Sequence, residues 1–482
     1  MEGIVSYGGY IPRLRIDRKL IYQAVGWLNP ATFMKGEKAV ANFDEDSLTM
    51  GVAAGIECLK GVDRAGVDAL YFACTTPPYA ERQNAEIAAT ALDLKSRIRS
   101  ADFTGTLKAG TTALLSALDA VKAGTMNSVL VCSADQRMGK PGSAQEEIFG
   151  DGAAAILMGS ENVTAQFLGS FSVSYDFSDH WRSSGSIFDR QWEDRFIRDV
   201  GYTKFVVEVL QGLAIECGIS ADQITKVIYP CLYAADFKKI ARTLKISDQQ
   251  IVEPLLGQIG FTGTPDPFIH LAMALDQSKP GDRIAVVGFG AGADAVLFEV
   301  TENIEKSRGS RRSVGHYLEN KRQLDGYEKM ISFRNLLPME KGIRGESIPP
   351  TAMSALWRNR DQVLGLYGSQ CRACGTPQFP AQRICVKPNC GAVDQMVPYR
   401  FSDKKGTLFT FTGDYLAFCT NPPSIYGVVD FEGGGRYQFD LTDVELENVK
   451  VSMPLEMSFR KKYLDERAGI HGYFWKAVPA MS

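Results

Sequence analysis

What the chain lacks narrows it first. Its 482 residues hold only 4 histidines, and Lys+Arg 53 against Asp+Glu 56 leave a net charge of -3. With no basic excess, neither a nucleic-acid backbone nor an acidic membrane surface has an electrostatic footprint to meet. No run reaches the ~18 apolar residues of a membrane-spanning helix, and the opening MEGIVSYGGYIPRLR has no apolar segment of a secretory leader. The expected compartment is therefore cytoplasmic, with no nucleic acid and no membrane among the partners. Disulfides are not expected either. Of the 10 cysteines, Cys58, Cys74, Cys132, Cys217, Cys231 and Cys419 are scattered and the remainder cluster, which in a reducing compartment points to metal. The length suits roughly three units of about 150 residues each.

A second absence is local. DFTGTLKAGTTALLSALDAVKAG, Asp102 to Gly124, opens with small and hydroxyl residues and turns helical, with Leu114, Leu115, Leu118 and Val121 at helix-face spacing. A tight turn into a helix N-terminus exposes unpaired backbone N–H groups and suits a nucleophile or an anion. This elbow offers only Thr104, Thr106, Leu107 and Lys108.

What is present begins with an internal repeat. SALDAVKAGTMNSVLVCSAD from Ser116 overlays MALDQSKPGDRIAVVGFGAG from Met273 at a constant offset of 157. Each copy is a helix end, a turn and a buried apolar strand, followed by a glycine turn and a second strand, Gly150–Gly159 and Gly290–Val300. The repeat also settles a tempting motif. IAVVGFGAGA fits a dinucleotide fingerprint at Gly288, Gly290 and Ala293, but that fingerprint needs a helix next, and DAVLFEV reads as a strand.

Two cysteine pairs end the informative motifs. Cys371 and Cys374 are spaced C-x2-C, Cys385 and Cys390 C-x4-C, with ten residues between the pairs. Four thiolates on two knuckles close a tetrahedral zinc site and leave no position for a substrate, so the metal is expected to be structural. Beyond it, GTLFTFTGDY, SIYGVVDFEGGGRYQFDL and PLEMSFRKKY alternate apolar and polar residues between glycine and proline turns, the pattern of a small antiparallel barrel. The chain carries no aromatic-plus-arginine platform for oligonucleotides.

Duplicated α/β halves with strand–glycine turn–strand endings resemble the thiolase superfamily, and the motifs narrow this to its hydroxymethylglutaryl-CoA synthase-like branch over roughly residues 1–300. The carriers are GGYIPRLRI (Gly8–Ile16), PPYAERQNAEIAATAL (Pro77–Leu92), LKAGTTAL (Leu107–Leu114), DHWRS (Asp179–Ser183) and KPGDRIAVVGFGAGADA (Lys279–Ala295). The ribbon and barrel, with their lead-in ALWRNRDQVLGLYGSQC, resemble the DUF35 family of acyl-CoA-associated proteins. The fold class so implied is α/β: a duplicated thiolase fold in αβαβα layers, then a zinc ribbon and an OB-type β-barrel. The expected divisions are 1–165 and 166–300 for the two halves, 301–350 for a charged helical linker exposed to solvent, 351–394 for the ribbon and 395–482 for the OB-fold.

The same resemblance supplies site expectations. In that branch a cysteine at the elbow accepts an acetyl group, a histidine assists and a glutamate moves protons; the matching positions here are Leu107, Pro230 and Thr75 or its neighbour Thr76. Thioester exchange needs a thiolate, so Cys231 and Cys74 are the candidates for a relocated one. Without any, backbone donors of the elbow and of the glycine turn still form an oxyanion hole able to hold an enolate. His180 leads the acid–base candidates because it titrates near neutrality; Tyr233, Asp266, Tyr79 and Asp179 follow. Lys108, Gly288, Gly290 and Gly292 are expected to hold the coenzyme A thioester, which is the substrate. The expected activity makes or breaks a carbon–carbon bond beside the thioester, of aldol, retro-aldol or Claisen type, without an acyl-enzyme. The rivals are a catalytically silent subunit of a thiolase-like complex and an acyltransferase with a relocated cysteine. A homodimer or larger oligomer, or pairing with a second thiolase-like subunit, is expected.

Overall fold

The computed structural model describes residues 1–309, 311–342 and 352–481. It divides into two compact units: Met1–Ala41, Asp46–Ala88 and Leu94–Met330 form the first, and Asn42–Glu45, Ala89–Asp93 and Ile331–Ser482 the second.

The first unit is built on nine strands: β1 (Gly3–Tyr10), β2 (Ala69–Ala73), β3 (Arg99–Phe103), β4 (Ser128–Asp135), β5 (Gly152–Gly159), β6 (Ala165–Ser174), β7 (Lys226–Ile228), β8 (Arg283–Phe289) and β9 (Gly292–Val300). Their spatial order is β7-β8-β9-β6-β1-β5-β4-β2-β3. The repeat read from sequence is visible in this order. In each half a helix leads into a strand (β4 or β8), which pairs antiparallel with the next (β5 or β9) and parallel with an outer one (β2 or β7). The halves meet where β1 pairs with β6 over Gly3↔Gln166 and Ile4↔Ala165. A side chain at Gly3 would run into the backbone of Ala165, so the junction requires glycine there. The second half lacks a full counterpart of β3 and keeps a single bridge, Val227↔Ile251.

Strands such as SVLVCSAD and GAAAILMG are buried almost end to end, which is why they read as continuous apolar runs. Helices α1 (Ala109–Lys122) and α2 (Asp266–Gln277) contact strands of both halves and bury most of their residues, the position of a central layer. Outside it, Ser47–Cys58 packs on the first half and Thr203–Cys217 on the second.

The charged stretch after Thr301 is not the solvated helix expected of a linker. Within the first unit its helices Ile304–Arg308 and Val314–Glu319 bury Ile304, Val314 and Tyr317. Its charges turn inward: Arg311 lies 4.0 Å over the Tyr7 ring, and Arg312 and the Tyr317 hydroxyl reach the buried Glu57 carboxylate at 3.4 and 3.2 Å. Helical spacing with few apolar residues disguised this packing, because ion pairs and ring stacking supply the contacts. Residues 343–351, which the expected linker and ribbon share, lie outside the described residues.

In the second unit, Tyr367–Cys371, Pro377–Gln378 and Met396–Arg400 make a three-stranded sheet. Five further strands pair antiparallel in the order Arg436–Asp440, Ser424–Phe431, Gly406–Asp414, Pro454–Asp465, Ile470–Pro479. A bridge from Leu441 to Ala477 brings the two edges of this sheet together, around the fully buried Trp475.

Candidate functional site

The elbow sits between β3 and α1. Thr106 Oγ1 donates to the Gly290 carbonyl at 2.8 Å, and a Cβ on Gly290 would stand 2.8 Å from that hydroxyl and 2.9 Å from the Leu107 nitrogen. With φ +149, Gly290 is where the glycine turn between β8 and β9 touches the elbow, and no other residue fits. Lys108 Nζ lies 3.2 Å from Asp294 Oδ1, and the Thr111 and Thr112 hydroxyls reach Oδ2 at 2.8 and 3.3 Å. The lysine expected to hold coenzyme A is thus bound into a buried pair that fastens α1 to β9.

Leu107, at the position expected for the nucleophile, is 5% exposed and packs with Phe149 and Phe261, flanked by Ile148, Leu232 and Leu256. The Arg137 guanidinium stacks 4.0 Å from the Phe149 ring and is fixed by Asp189 at 2.8 Å. The polar positions of the branch are also committed. Thr75 and Thr76 donate both amides and both hydroxyls to Asp135 Oδ1 at 2.8–3.0 Å, while Thr264 donates its amide and hydroxyl to Oδ2 at 2.9 and 2.5 Å. The Pro230 carbonyl accepts from the buried Tyr202 hydroxyl.

Neither displaced cysteine is prepared to act as a nucleophile. Burial, reinforced by the Asp135 charge, pushes the Cys74 thiol well above its ordinary value. Burial, with Asp266 and Glu253 adding to it, pushes Cys231 up to about 12. Thiols so raised are thiols, not thiolates, at neutral pH.

Two expected acid–base groups do come together. A short hairpin pairs Gln191 with His180 and Arg190 with Trp181. Gln191 Nε2 donates to the Tyr233 hydroxyl at 2.8 Å, and Gln191 Oε1 accepts from Gln145 at 2.9 Å. Tyr233 also lies 3.4 Å from Asp194; burial, then that charge, holds its hydroxyl protonated well above the usual range. His180 Nδ1 is 3.1 Å from Asp179 Oδ2, with an angle short of a hydrogen bond. Leu232, next to Tyr233, packs on the Leu107 cluster, so this network flanks the elbow.

Asp266 and Tyr79 have other partners. Asp266 is buried, accepts from Thr262 at 3.3–3.4 Å, and has its carboxyl pushed up by burial against the opposing charge of His270. His270 accepts from the Leu255 amide with Nε2 and meets the Asp266 carbonyl with Nδ1 at 2.7 Å. A cavity of about 10 Å³ adjoins them. The Tyr79 hydroxyl accepts from Arg82 at 2.7 Å. Sequence reading missed Gln191, Gln145, Arg137 and Asp135. None stands in a motif, and each works through a partner 42–129 residues distant.

In the second unit the four cysteines converge as their spacing implies. All four sulfurs lie within 4.8 Å of one another, with Cys371–Cys390 at 3.8 Å and Cys374–Cys385 at 3.5 Å. A tetrahedron of Zn–S bonds near 2.3 Å needs sulfurs roughly 3.8 Å apart. The donor set fits a structural zinc, held by Cys371, Cys374, Cys385 and Cys390.

Comparison with known proteins agrees with this architecture. Residues 215–299 match the C-terminal model of 3-oxoacyl-[acyl-carrier-protein] synthase III, residues 362–394 the rubredoxin-like zinc ribbon domain of ChsH2, and residues 399–460 the C-terminal OB-fold domain of ChsH2. The hydroxymethylglutaryl-CoA synthase of Methanocaldococcus jannaschii is 31% identical over 352 residues, 70% of this chain and 100% of that protein. That of Methanopyrus kandleri is 32% identical over 330 residues, 66% of this chain and 93% of that protein. Among solved structures, an HMG-CoA synthase complexed with CoA superposes with a TM-score of 0.60 at 16% identity, covering 73% of this chain and 94% of that one. The synthase III FabH of Pseudomonas aeruginosa PAO1 gives 0.56 at 17% identity, covering 62% and 98%. At these identities the structures establish the thiolase fold alone. No helix among the described residues is long and apolar enough to cross a membrane.

Proposed function

Because the chain belongs to the hydroxymethylglutaryl-CoA synthase family yet carries Leu107 at its elbow, we propose that it acts on an acyl-CoA thioester without forming an acyl-enzyme. The reaction makes or breaks the carbon–carbon bond next to the thioester carbonyl. The observation that carries this reading is the seat of Leu107, enclosed by Phe149 and Phe261 beside a polar network holding Tyr233, Gln191 and His180.

In the cleavage direction, His180 takes the proton of a β-hydroxyl group. The Cα–Cβ bond breaks, its electron pair passing into the enolate of the thioester while the hydroxyl carbon becomes a carbonyl. Tyr233 then returns a proton to the α-carbon. The Leu107 N–H, which has no acceptor among the described residues, faces the enolate oxygen. Gln191 orients Tyr233, and Asp179 stabilises His180 when charged. No thiolate is needed.

A second reading, a catalytically silent subunit of a thiolase-like complex, is favoured by one observation: the cavity against Phe261 and Leu256 of the Leu107 cluster holds about 10 Å³. One experiment separates the readings. The purified chain is offered acetyl-CoA and 3-hydroxyacyl-CoAs of increasing chain length, with intact mass and product formation followed together. The proposal expects no covalent acyl group, turnover that resists thiol alkylation, and a fall of roughly 10²-fold in His180→Ala and Tyr233→Phe. A stable adduct on Cys231 or Cys74 overturns it. Turnover that appears only with a second thiolase-like chain present establishes the silent subunit instead.

A further inference from the structure

A cavity of about 430 Å³ lies wholly among residues of the second unit, and none of them is assigned to the thioester. Its volume falls in the range of small-molecule sites, about 300–1,000 Å³. One side is apolar. Phe43 and Phe333 meet edge to face there with centroids 5.8 Å apart, and Phe418 and Tyr463 extend the same lining. The strand Pro454–Asp465 is irregular where it passes the cavity, with a bulge between Lys461 and Tyr463. A regular strand turns alternate residues to one face, whereas this bulge lets Lys461, Lys462, Tyr463 and Leu464 line the cavity in succession.

We infer that this cavity binds an apolar carboxylate, a molecule with an acid group at one end and a hydrocarbon body at the other. The polar groups around it decide the sign of the ligand. Each carboxylate in the lining already has a donor. Asp44 accepts from Lys476 at 2.9 Å and Arg460 at 3.3 Å, and Asp443 from Arg460 at 2.6 Å. Asp440 is paired with Lys462, and Glu466 accepts from the Asn335 amide at 3.2 Å. The cations are not all so placed. Lys341 and Lys461 line the cavity with no carboxylate within ion-pair distance among the described residues. Lys476, only 6% exposed, gives one of the three donors of its ammonium to Asp44 and has no second acceptor among the described residues. The capacity left facing the cavity is therefore donor capacity, and an ionised carboxylate, which only accepts, is its complement. A bare inorganic anion would leave Phe43, Phe418 and Tyr463 uncovered, so the apolar wall asks for the hydrocarbon body. Cys419 supplies a reporter: it lines the cavity half-buried, its thiol donating to the Asn421 carbonyl at 3.4 Å.

The test titrates decanoate calorimetrically into the full-length chain while alkylation of Cys419 by iodoacetamide is followed by peptide mass. One decanoate per chain is expected, with affinity rising by up to about fourfold per methylene from hexanoate to decanoate. Acetate has the charge without the body and decan-1-ol the body without the charge; each is expected to bind at least about tenfold more weakly. Lys461→Gln and Lys341→Gln should each weaken decanoate by about threefold to fivefold and flatten its dependence on salt. Bound decanoate should slow the alkylation of Cys419, a readout that depends on no variant. The inference is overturned by the absence of saturable binding to the parent chain, by decan-1-ol matching decanoate, or by Cys419 reacting equally fast with and without decanoate. Displacement of decanoate by free coenzyme A also overturns it, because the cavity would then belong to the path of the thioester.

Discussion

Leu107→Ala measures whether the elbow is sealed. The substitution removes three carbons from a side chain that is 5% exposed and packed against Phe149 and Phe261. If those contacts are core, the loss combines transfer free energy with the cavity left behind, about 2–5 kcal/mol. The walls decide where in that range it falls. Phe149 is pinned by the Arg137 stack at 4.0 Å, and the Phe261 backbone is tied on both sides, to Ile148 at 2.8 Å and Gly150 at 3.1 Å. Walls so held relax little, which places the expectation at about 3–4 kcal/mol. If Leu107 instead lined an open, wetted pocket, it would behave as a surface position and cost under about 1 kcal/mol.

The assay is guanidinium unfolding of the Leu107→Ala protein against the parent. The change is read in the transition of the nine-stranded unit, with the slope checked for constancy. A loss below about 1 kcal/mol with an unchanged slope refutes the sealed elbow and the argument built on it. Leu107→Cys gives an independent reading, since a thiol placed in the same seat should react with iodoacetamide far more slowly than a free cysteine.

Two further predictions follow from the structure. Removing the zinc with a strong chelator, or replacing Cys374 by Ser, should unfold the ribbon and expose Cys371–Cys390 to alkylation, because binding free energy at such knuckles is largely folding free energy; metal analysis finding well under one zinc per chain in a chelator-free preparation would contradict it. Glu147, 2% exposed and with one carboxylate oxygen unbonded, is pushed up to about 7 by burial against the opposing charges of Lys38 and Arg18. Its folded value lies above the ordinary 4.5, so the folded state holds the extra proton between those limits, and stability falls as pH rises from about 4.5 through 7 and then levels. Glu147→Gln should therefore be more stable than the parent at pH 8 by about 2–3 kcal/mol and lose that advantage at pH 5, and equal pH profiles would dismiss the assignment.

The features legible in sequence were those that repeat or have fixed spacing. DAVLFEV read as a strand because its apolar run is too short and too β-branched for the helix a dinucleotide site needs, and it is β9. The C-x2-C and C-x4-C pairs read as zinc ligands because metal geometry dictates ligand spacing. Long-range polar pairing left no such trace. Asp135 gathers donors from Thr75, Thr76 and Thr264, and Lys108 answers Asp294 across 186 residues; nothing periodic announces either. The same gap explains Thr301 onward, where Arg311 and Arg312 are charged in composition but inward in structure. At the positions expected to be catalytic, only the packing told what Leu107 does there.

The two readings of the site divide on the cost of one opening. For a thioester oxygen to reach the Leu107 N–H, the side chains of Leu107, Phe149 and Phe261 must part. Fully exposing such a side chain costs about 1.5–3 kcal/mol, so half-exposing three of them costs roughly 2–5 kcal/mol. At 4 kcal/mol the open form is about one molecule in a thousand, and apparent affinity falls by the same factor for any ligand that merely waits for it. An acetyl group returns almost none of this burial, whereas each methylene of a longer acyl chain seated among the parted rings returns about 0.8 kcal/mol. Five or six methylenes offset the opening. On the proposed reading, the closed elbow therefore favours long or bulky apolar acyl groups over acetyl. If activity with acyl-CoA does not rise across that range of chain length, the cluster is a permanent plug and the silent subunit is what remains.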